Sequence, residues 1–259
     1  MFNIGIDASF FNGKLNLEAD WFYKKTNDIL RERTDMPAIL GYKLPAANVG
    51  KVDNRGIDLN ITHRNHLRDF NYSIAGNLTW ARNKVIDLLE PAGEKNNPRQ
   101  RSTGHSMSQY FGYEALGLFQ SDEEANNWPQ PQFGKAKAGD IKYKDQNGDG
   151  IIDAEDEIAI GRSNYPELVY GLNLNAEWKG FDITFFFQGA ALADFYYNGY
   201  LAFPYIEGRG GALLEHHIGN TWTPENPKAE FPRLYYGGNA NNQLFSSCLL
   251  YTSPSPRDS

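Results

Sequence analysis

Residues Phe2–Tyr23 read FNIGIDASFFNGKLNLEADWFY, two arms of strict alternation on either side of Asn12-Gly13. In the first arm Phe2, Ile4, Ile6, Ala8 and Phe10 fall on one face, with Asn3, Gly5, Asp7 and Ser9 on the other. In the second, Leu15, Leu17, Ala19, Trp21 and Tyr23 oppose Asn16, Glu18 and Asp20. Successive strand side chains point to opposite faces, so each arm predicts a strand with one apolar side. Asn-Gly takes up the positive φ values of a tight hairpin. Each arm runs about ten residues, longer than a typical globular strand and close to what a tilted strand needs to cross a bilayer.

The pattern recurs along the chain. Ile57, Leu59 and Ile61 alternate with Asp58, Asn60 and Thr62, and Phe70, Tyr72, Ile74, Gly76, Leu78 and Trp80 with Asn71, Ser73, Ala75, Asn77 and Thr79. His63 to Asp69 reads as the short link between these two arms. A third hairpin carries Leu172, Leu174, Ala176 and Trp178, a Lys179-Gly180 turn, then Phe181, Ile183, Phe185 and Phe187, with Asn173, Asn175, Glu177, Asp182, Thr184 and Gln188 on the other side. Residues 25–53, broken by Pro37, Gly41, Pro45 and Gly50, read as a long loop, and residues 81–166 as a longer irregular one. Short and long connections therefore alternate. All short turns lie at one end of the sheet and all long loops at the other, the asymmetry of outer-membrane barrels. On this reading Asn16, Glu18, Asp20, Asn60, Asn71, Asn77, Asn173, Glu177 and Asp182 line a wet lumen and the apolar set faces lipid. The same alternation also fits a secreted, calcium-stabilised β-domain that binds carbohydrate, in which Leu172, Leu174, Trp178, Phe181, Ile183 and Phe185 would pack against a second sheet.

Composition agrees with a membrane β-protein. The chain of 259 residues has 14% aromatic residues, 25 glycines and a mean hydropathy of -0.58, and barrel strands leave little trace in average hydropathy. A net charge of -7 with no basic stripe argues against a nucleic-acid partner. No P-loop, nucleophile elbow, CxxC or zinc-spaced helical His-Glu pair is present, so the chain is not expected to be an enzyme. His63 and His66 read as solvated turn residues, His216 and His217 as neighbours pointing to opposite faces, and Gly208-Arg-Gly-Gly211 as a flexible loop.

Only Gly139–Gly161, GDIKYKDQNGDGIIDAEDEIAIG, carries chemistry at a fixed spacing. Counting from Asp145, oxygen-bearing side chains stand at positions 1 (Asp145), 3 (Asn147), 5 (Asp149), 9 (Asp153) and 12 (Asp156). Gly150 occupies the sharp turn, and Ile151 offers a backbone carbonyl. This set predicts a structural Ca2+ loop, because a hard cation takes six to eight oxygens at short range. Position 12 is Asp where Glu is usual, and the flanks alternate like strands, so a helix-loop-helix sensor is not expected. For substrate contact, Tyr110, Phe111, Tyr113, Trp128, Tyr196, Tyr197 and Tyr200 are candidates by composition, since flat apolar rings stack on sugar faces; loop packing fits each of them equally.

Five ordered stretches carry a family resemblance. They are Asn48-Val-Gly-Lys-Val-Asp-Asn-Arg-Gly56, Phe111-Gly-Tyr-Glu-Ala-Leu-Gly-Leu-Phe-Gln120, Gly139–Gly161, Asn164-Tyr-Pro-Glu-Leu-Val-Tyr-Gly171 and Asn220-Thr-Trp-Thr-Pro-Glu-Asn-Pro227. In order and spacing they resemble the SusC/RagA-like TonB-linked outer-membrane transporters over nearly all of residues 2–247. The resemblance implies an all-β fold, an incomplete antiparallel transmembrane segment of a 22-stranded barrel with long extracellular loops, in the outer membrane of a Gram-negative bacterium. It further implies import of glycans, peptides or related nutrients, a SusD/RagB-like surface lipoprotein partner, and energy from the TonB complex acting through a plug and TonB-contact motif outside this sequence. Residues 248–258, CLLYTSPSPRD, resemble the translation of a transposon-type sequencing adapter, so 248–259 is expected to be a non-native tail and 1–247 the partial barrel. On that reading Cys248 belongs to the tail, the natural protein is expected to continue past about Ser247 in a sequence of its own, and Met1 is not expected to be its true start.

Overall fold

The computed structural model describes residues 1–32, 45–88, 90, 102–199, 202–205, 213–235 and 239–253. Four long strands come first: β1 (Phe2–Phe10), β2 (Leu15–Arg31), β3 (Ala47–Leu67) and β4 (Phe70–Asp87). An insert follows with β5 (Tyr110–Gly112), β6 (Ala115–Leu118), helix α1 (Asp122–Asn127), β7 (Gln130–Pro131), β8 (Ile141–Tyr143), β9 (Ile151–Ile152) and β10 (Ile158–Ile160). Then come β11 (Leu168–Trp178), β12 (Phe181–Ala191), β13 (Ala193–Tyr196) and β14 (Leu250–Ser253). The main sheet is six-stranded in the order β1-β2-β3-β4-β11-β12, every neighbouring pair antiparallel.

Register makes one face continuous. Ile4 pairs with Trp21, Trp21 with Ile57, Ile57 with Trp80 and Trp80 with Leu168. Ten residues down β4, Leu67, Phe70, Trp178 and Phe181 form a parallel row. The two rows are about 34 Å apart along the strand, or about 24 Å along the membrane normal at a tilt of about 45°, close to the apolar band of outer-membrane barrels. Nothing covers this face among the described residues: Ile6 is 62% exposed, Ile183 50% and Phe181 77%. Among the described residues no second sheet packs on Leu172, Leu174, Trp178, Phe181, Ile183 and Phe185, of which all but the half-buried Leu174 are exposed, so the secreted-domain alternative lacks the packing it requires.

The hairpin turns are tight. Lys179 (φ 47°) and Gly180 (φ 87°) join β11 to β12, as a two-residue loop with two positive φ values should. Arg68-Asp69 joins β3 to β4. The first connection is longer than an Asn12-Gly13 turn, because Phe10 pairs with Leu15 and the loop takes in Phe11 to Lys14, with Phe11 itself at φ 54°.

Three expectations need correction. The strands outrun their alternating segments: β2 continues to Arg31, β3 begins at Ala47, and β4 ends at Asp87. Charged residues such as Lys24, Lys25 and Asp53 hid this, since beyond the apolar band a strand needs only its backbone ladder. His63 and His66 lie in β3 and not in a turn; His63 Nε2 is 3.0 Å from the Tyr72 hydroxyl, and His66 contacts Asn71. His216 and His217 sit in a 3-10 turn (Glu215–His217) with both rings against Phe231, at 5.5 and 4.8 Å, and not on opposite faces. The Gly208–Gly211 cluster lies outside the described residues.

The insert has a core of its own where an irregular loop was expected. Tyr113, Ile141, Tyr143 and Ile152 form one buried cluster, with Phe133 and Leu244 against it, and Phe119, Ala125 and Ala136 form another beside Trp128. Asp140 ties the insert to the C-terminal segment. Its fully buried carboxylate accepts hydrogen bonds from Arg233 Nε (2.8 Å), Asn239 Nδ2 (3.0 Å), Asn242 Nδ2 (3.0 Å) and the Lys137 amide (2.9 Å). Next to it, Gly139 holds φ 82°, and a Cβ there would meet the Trp222 ring at 2.4 Å. β14 pairs with β13 inside the adapter-like stretch, and that ladder uses only backbone groups, which any non-proline sequence supplies.

Asp140→Ala would leave a guanidinium, two side-chain amides and the Lys137 backbone amide without their buried acceptor, at about 3–5 kcal/mol. Hydrogen exchange should show protection lost together around residues 139–143 and 239–247, while exchange in β3 and β4 stays unchanged. A milder effect follows for Glu124, whose carboxyl is held below its usual 4.5 by the Gln120 amide and then by Lys142. A lowered folded pKa contributes stability above the unfolded value and loses it as pH falls through the folded one. Exchange of amides 120–125 should therefore quicken relative to β3 as pH falls below the usual glutamate value of 4.5.

Candidate functional site

The face opposite the apolar band is a polar wall. Its rows include Asp7–Glu18–Asn60–Asn77, Asp20–Asp58–Thr79, Asn16–Thr62–Ala75–Asn173 and His66–Asn71–Glu177–Asp182. All nine residues expected to line a lumen thus share one side of the sheet. Some are satisfied across strands: Ser9 Oγ donates to Asn16 at 2.8 Å, Thr184 Oγ1 to Asn175 at 2.9 Å, and Asn71 Nδ2 to Glu177 at 3.3 Å. Others set like charges side by side, Asp7 beside Glu18, Asp20 beside Asp58 and Glu177 beside Asp182, a pairing that weakens a sheet. Arg64 and His66 are the cationic or titratable counterweights toward the short-turn end. Sequence reasoning missed the Asp20–Asp58 contact, because it depends on the register of β2 against β3 across a long loop. Phe22 is also on this wall, its ring lying over Gly56, where a Cβ would come within 2.4 Å.

The 145–156 loop is closed by its own amides. Asp145 accepts from Gly148 (2.6 Å) and Gly150 (2.9 Å), Asn147 Oδ1 from Asp149 (3.0 Å), and Asp149 from Ile151 (2.8 Å). Asp153 caps the short turn through Glu155, and the fully buried Asp156 accepts from Gln146 (2.7 Å) and Asp153 (2.9 Å). Gly148 and Gly150 hold φ 78° and 83°, so the sharp reversal expected at position 6 is present. Among the described residues no three His, Cys, Asp or Glu side chains converge at metal-binding distance. The carboxylates keep unused lone pairs beside their amide donors, and the fold brings both ends of the loop together through the Gln146–Asp156 contact.

Most of the candidate aromatic rings are engaged in packing. Tyr113 is a core residue, 5% exposed, and its ring cannot face a solute. Trp128 donates Nε1 to the Tyr143 carbonyl at 2.8 Å and lies under Lys142. Tyr110 and Tyr196 both contact Phe245, Tyr196 in a stack at 3.9 Å, and burial pushes the Tyr196 hydroxyl up to about 12. Phe111 meets His105 edge-on, and Tyr197 reaches His216 at 3.2 Å. Tyr200 lies outside the described residues.

The family described as "TonB dependent receptor-like, beta-barrel" matches residues 2–154. TonB-dependent receptor P26 of Formosa agariphila is 33% identical over 244 residues, covering 89% of this chain and 24% of that protein. TonB-dependent receptor SusC of Bacteroides thetaiotaomicron is 24% identical over 210 residues, covering 77% of this chain and 20% of that protein. The RagAB peptide transporter structure superimposes with a TM-score of 0.69 at 22% identity over 96% of this chain and 27% of that one, a likeness of fold. The chain spans about a quarter of the length of these relatives. A lipid-width apolar face, a polar inner face and a folded insert at the long-loop end thus agree with the sequence match, and the chain belongs to the TonB-dependent receptor family, as a SusC/RagA-like segment of an outer-membrane β-barrel of Gram-negative bacteria.

Proposed function

We propose that the whole protein imports oligosaccharide or peptide nutrients across the outer membrane, with a SusD/RagB-like surface lipoprotein over its long-loop end and energy from the TonB complex. The observation that carries this reading is the two-faced sheet, lipid-ready outside and hydrogen-bonding inside. Asn16, Asn60, Asn77, Asn173 and the paired acids offer acceptors and donors suited to hydroxyls and peptide groups. The excess of carboxylates disfavours anionic solutes. The RagAB neighbour is a peptide transporter. In cells carrying the full-length gene, uptake of labelled oligosaccharide or oligopeptide should fall to the level of a transporter deletion when tonB is deleted. Uptake that survives loss of TonB would contradict the reading.

Within that protein the 145–156 loop binds Ca2+ and stiffens the insert. Asp145, Asn147, Asp149, Asp153 and Asp156 supply side-chain oxygens, and Ile151 supplies its carbonyl. The support is the residue spacing together with a loop already turned at Gly148 and Gly150. Calorimetric titration of the full-length protein with CaCl2 should give one binding event that Asp145→Ala and Asp149→Ala each abolish. Equal affinity in wild type and both variants would overturn it.

A further inference from the structure

Just above the apolar band the outward face changes character within two rows. Trp21–Ile57–Trp80 is followed by Tyr23–Arg55–Arg82 and then by Lys25–Asp53–Lys84, all in register across β2, β3 and β4. At about 3.4 Å per residue and a tilt of about 45°, these rows stand about 5 and about 10 Å above the aromatic row along the membrane normal. The first row is at headgroup depth, since the polar layer adds about 5–7 Å to each side of the hydrocarbon core, and the second lies just beyond it, from where the long lysine side chains can reach down to it. Side chains of this parity point away from the lumen, toward the surrounding membrane.

Lys25, Arg55, Arg82 and Lys84 are all exposed. Arg82 meets Glu167 at 3.1 Å, Asp53 accepts the Tyr23 hydroxyl, and Lys25 lies 5.5 Å over the Tyr23 ring. Among the described residues, Arg55 and Lys84 are in no ion pair. Tyr23, Asp53, Arg55, Arg82 and Lys84 wall a cleft of about 410 Å³ together with Gly104, His105 and Ser106, and Asp53 is the one carboxylate among these lining residues. Four cations here, Lys25, Arg55, Arg82 and Lys84, face two carboxylates among the described residues, Asp53 and Glu167, and the excess of positive charge calls for anions from outside the chain. A guanidinium takes phosphate oxygens in a two-pronged fashion, and a lysine adds a point charge.

We propose that this cleft binds the phosphate groups of an anionic outer-leaflet lipid, a phosphorylated glycolipid whose acyl chains lie down the face beneath Trp21, Ile57 and Trp80. The site anchors the barrel's outer rim on the side carrying β2 to β4. Arg55 and Lys84 are the residues to remove, because neither is in an ion pair with another described residue.

The test uses the full-length transporter in nanodiscs of phosphatidylethanolamine doped with lipid A or with its dephosphorylated form, and native mass spectrometry reads the lipid retained. Wild type should retain lipid A over the dephosphorylated form. The variant Arg55→Gln/Lys84→Gln should lose about 25-fold in retention, at about fivefold per charge, with its thermal melting unchanged. Lys14→Gln, a loss of one positive charge at the short-turn end, should retain lipid A as wild type does, where a single Lys84→Gln should lose about fivefold. Equal retention of the two lipids by wild type, or unchanged retention in the double variant, would overturn the proposal. So would displacement of the bound lipid by an equal concentration of inorganic phosphate, which would mark a free-anion site. Weakened capture of the surface lipoprotein with lipid retention intact would overturn it in favour of a protein contact.

Discussion

Backbone hydrogen bonds between neighbouring strands, in a register that does not slip inside the apolar band, are the constraint on which the rest depends. Lipid offers no partner for an open N–H or C=O, so each spanning strand must be paired. A one-residue slip would also exchange the two faces, placing Asp20, Asp58 and Glu177 in hydrocarbon. The irregularities respect this limit. Register shifts occur at Thr26 to Leu30 in β2 and at Lys51/Val52 in β3, both above the rows of Arg55 and Lys25 where water can reach the backbone. Below them, from Trp21, Ile57 and Trp80 down to Phe70 and Trp178, the ladders are unbroken.

The insert obeys different rules because water surrounds it. Its stability rests on a small apolar core and a buried carboxylate hub, with Asp140 binding Arg233, Asn239 and Asn242 from about a hundred residues away. Several stretches that mark the family meet at this hub: Gly139 is covered by Trp222, Phe119 exchanges backbone hydrogen bonds with Gly139 and Asp140, and the Arg233 amide donates to the Gly139 carbonyl. Their close packing gives a structural reason for the fixed order of these motifs. It also explains why Tyr113 and Trp128, plausible as stacking platforms from composition, serve the fold instead.

The sheet was legible in sequence to the extent that lipid wrote it. Alternation from Phe2 to Tyr23, from Ile57 to Trp80 and from Leu172 to Phe187 fixed strand identity and face, and Lys179-Gly180 fixed a turn. Where the strands leave the membrane the code stops: nothing apolar is required at Lys24, Asp53 or Lys84, so these positions resembled loop. His63 to His66 misled for a related reason, since polar residues near the short-turn end can stay in a strand when its neighbours complete the ladder. The core of the insert left no period to read, because Tyr113, Ile141 and Ile152 come from short segments far apart in the chain. The 145–156 loop was legible as backbone geometry through its glycines, whereas the convergence of its oxygens depends on chemistry that spacing alone does not supply.

The most direct test of the two-faced sheet is spin-label accessibility along β4 in the full-length barrel in lipid vesicles. Nitroxides would be placed one at a time from position 71 to position 80. Labels replacing Tyr72, Ile74, Leu78 and Trp80 should relax with dissolved oxygen, and those replacing Asn71, Ser73, Asn77 and Thr79 with a water-soluble nickel complex. Accessibility without a period of two, or with the phase reversed, would contradict the assignment of lipid and lumen faces on which the transporter reading stands.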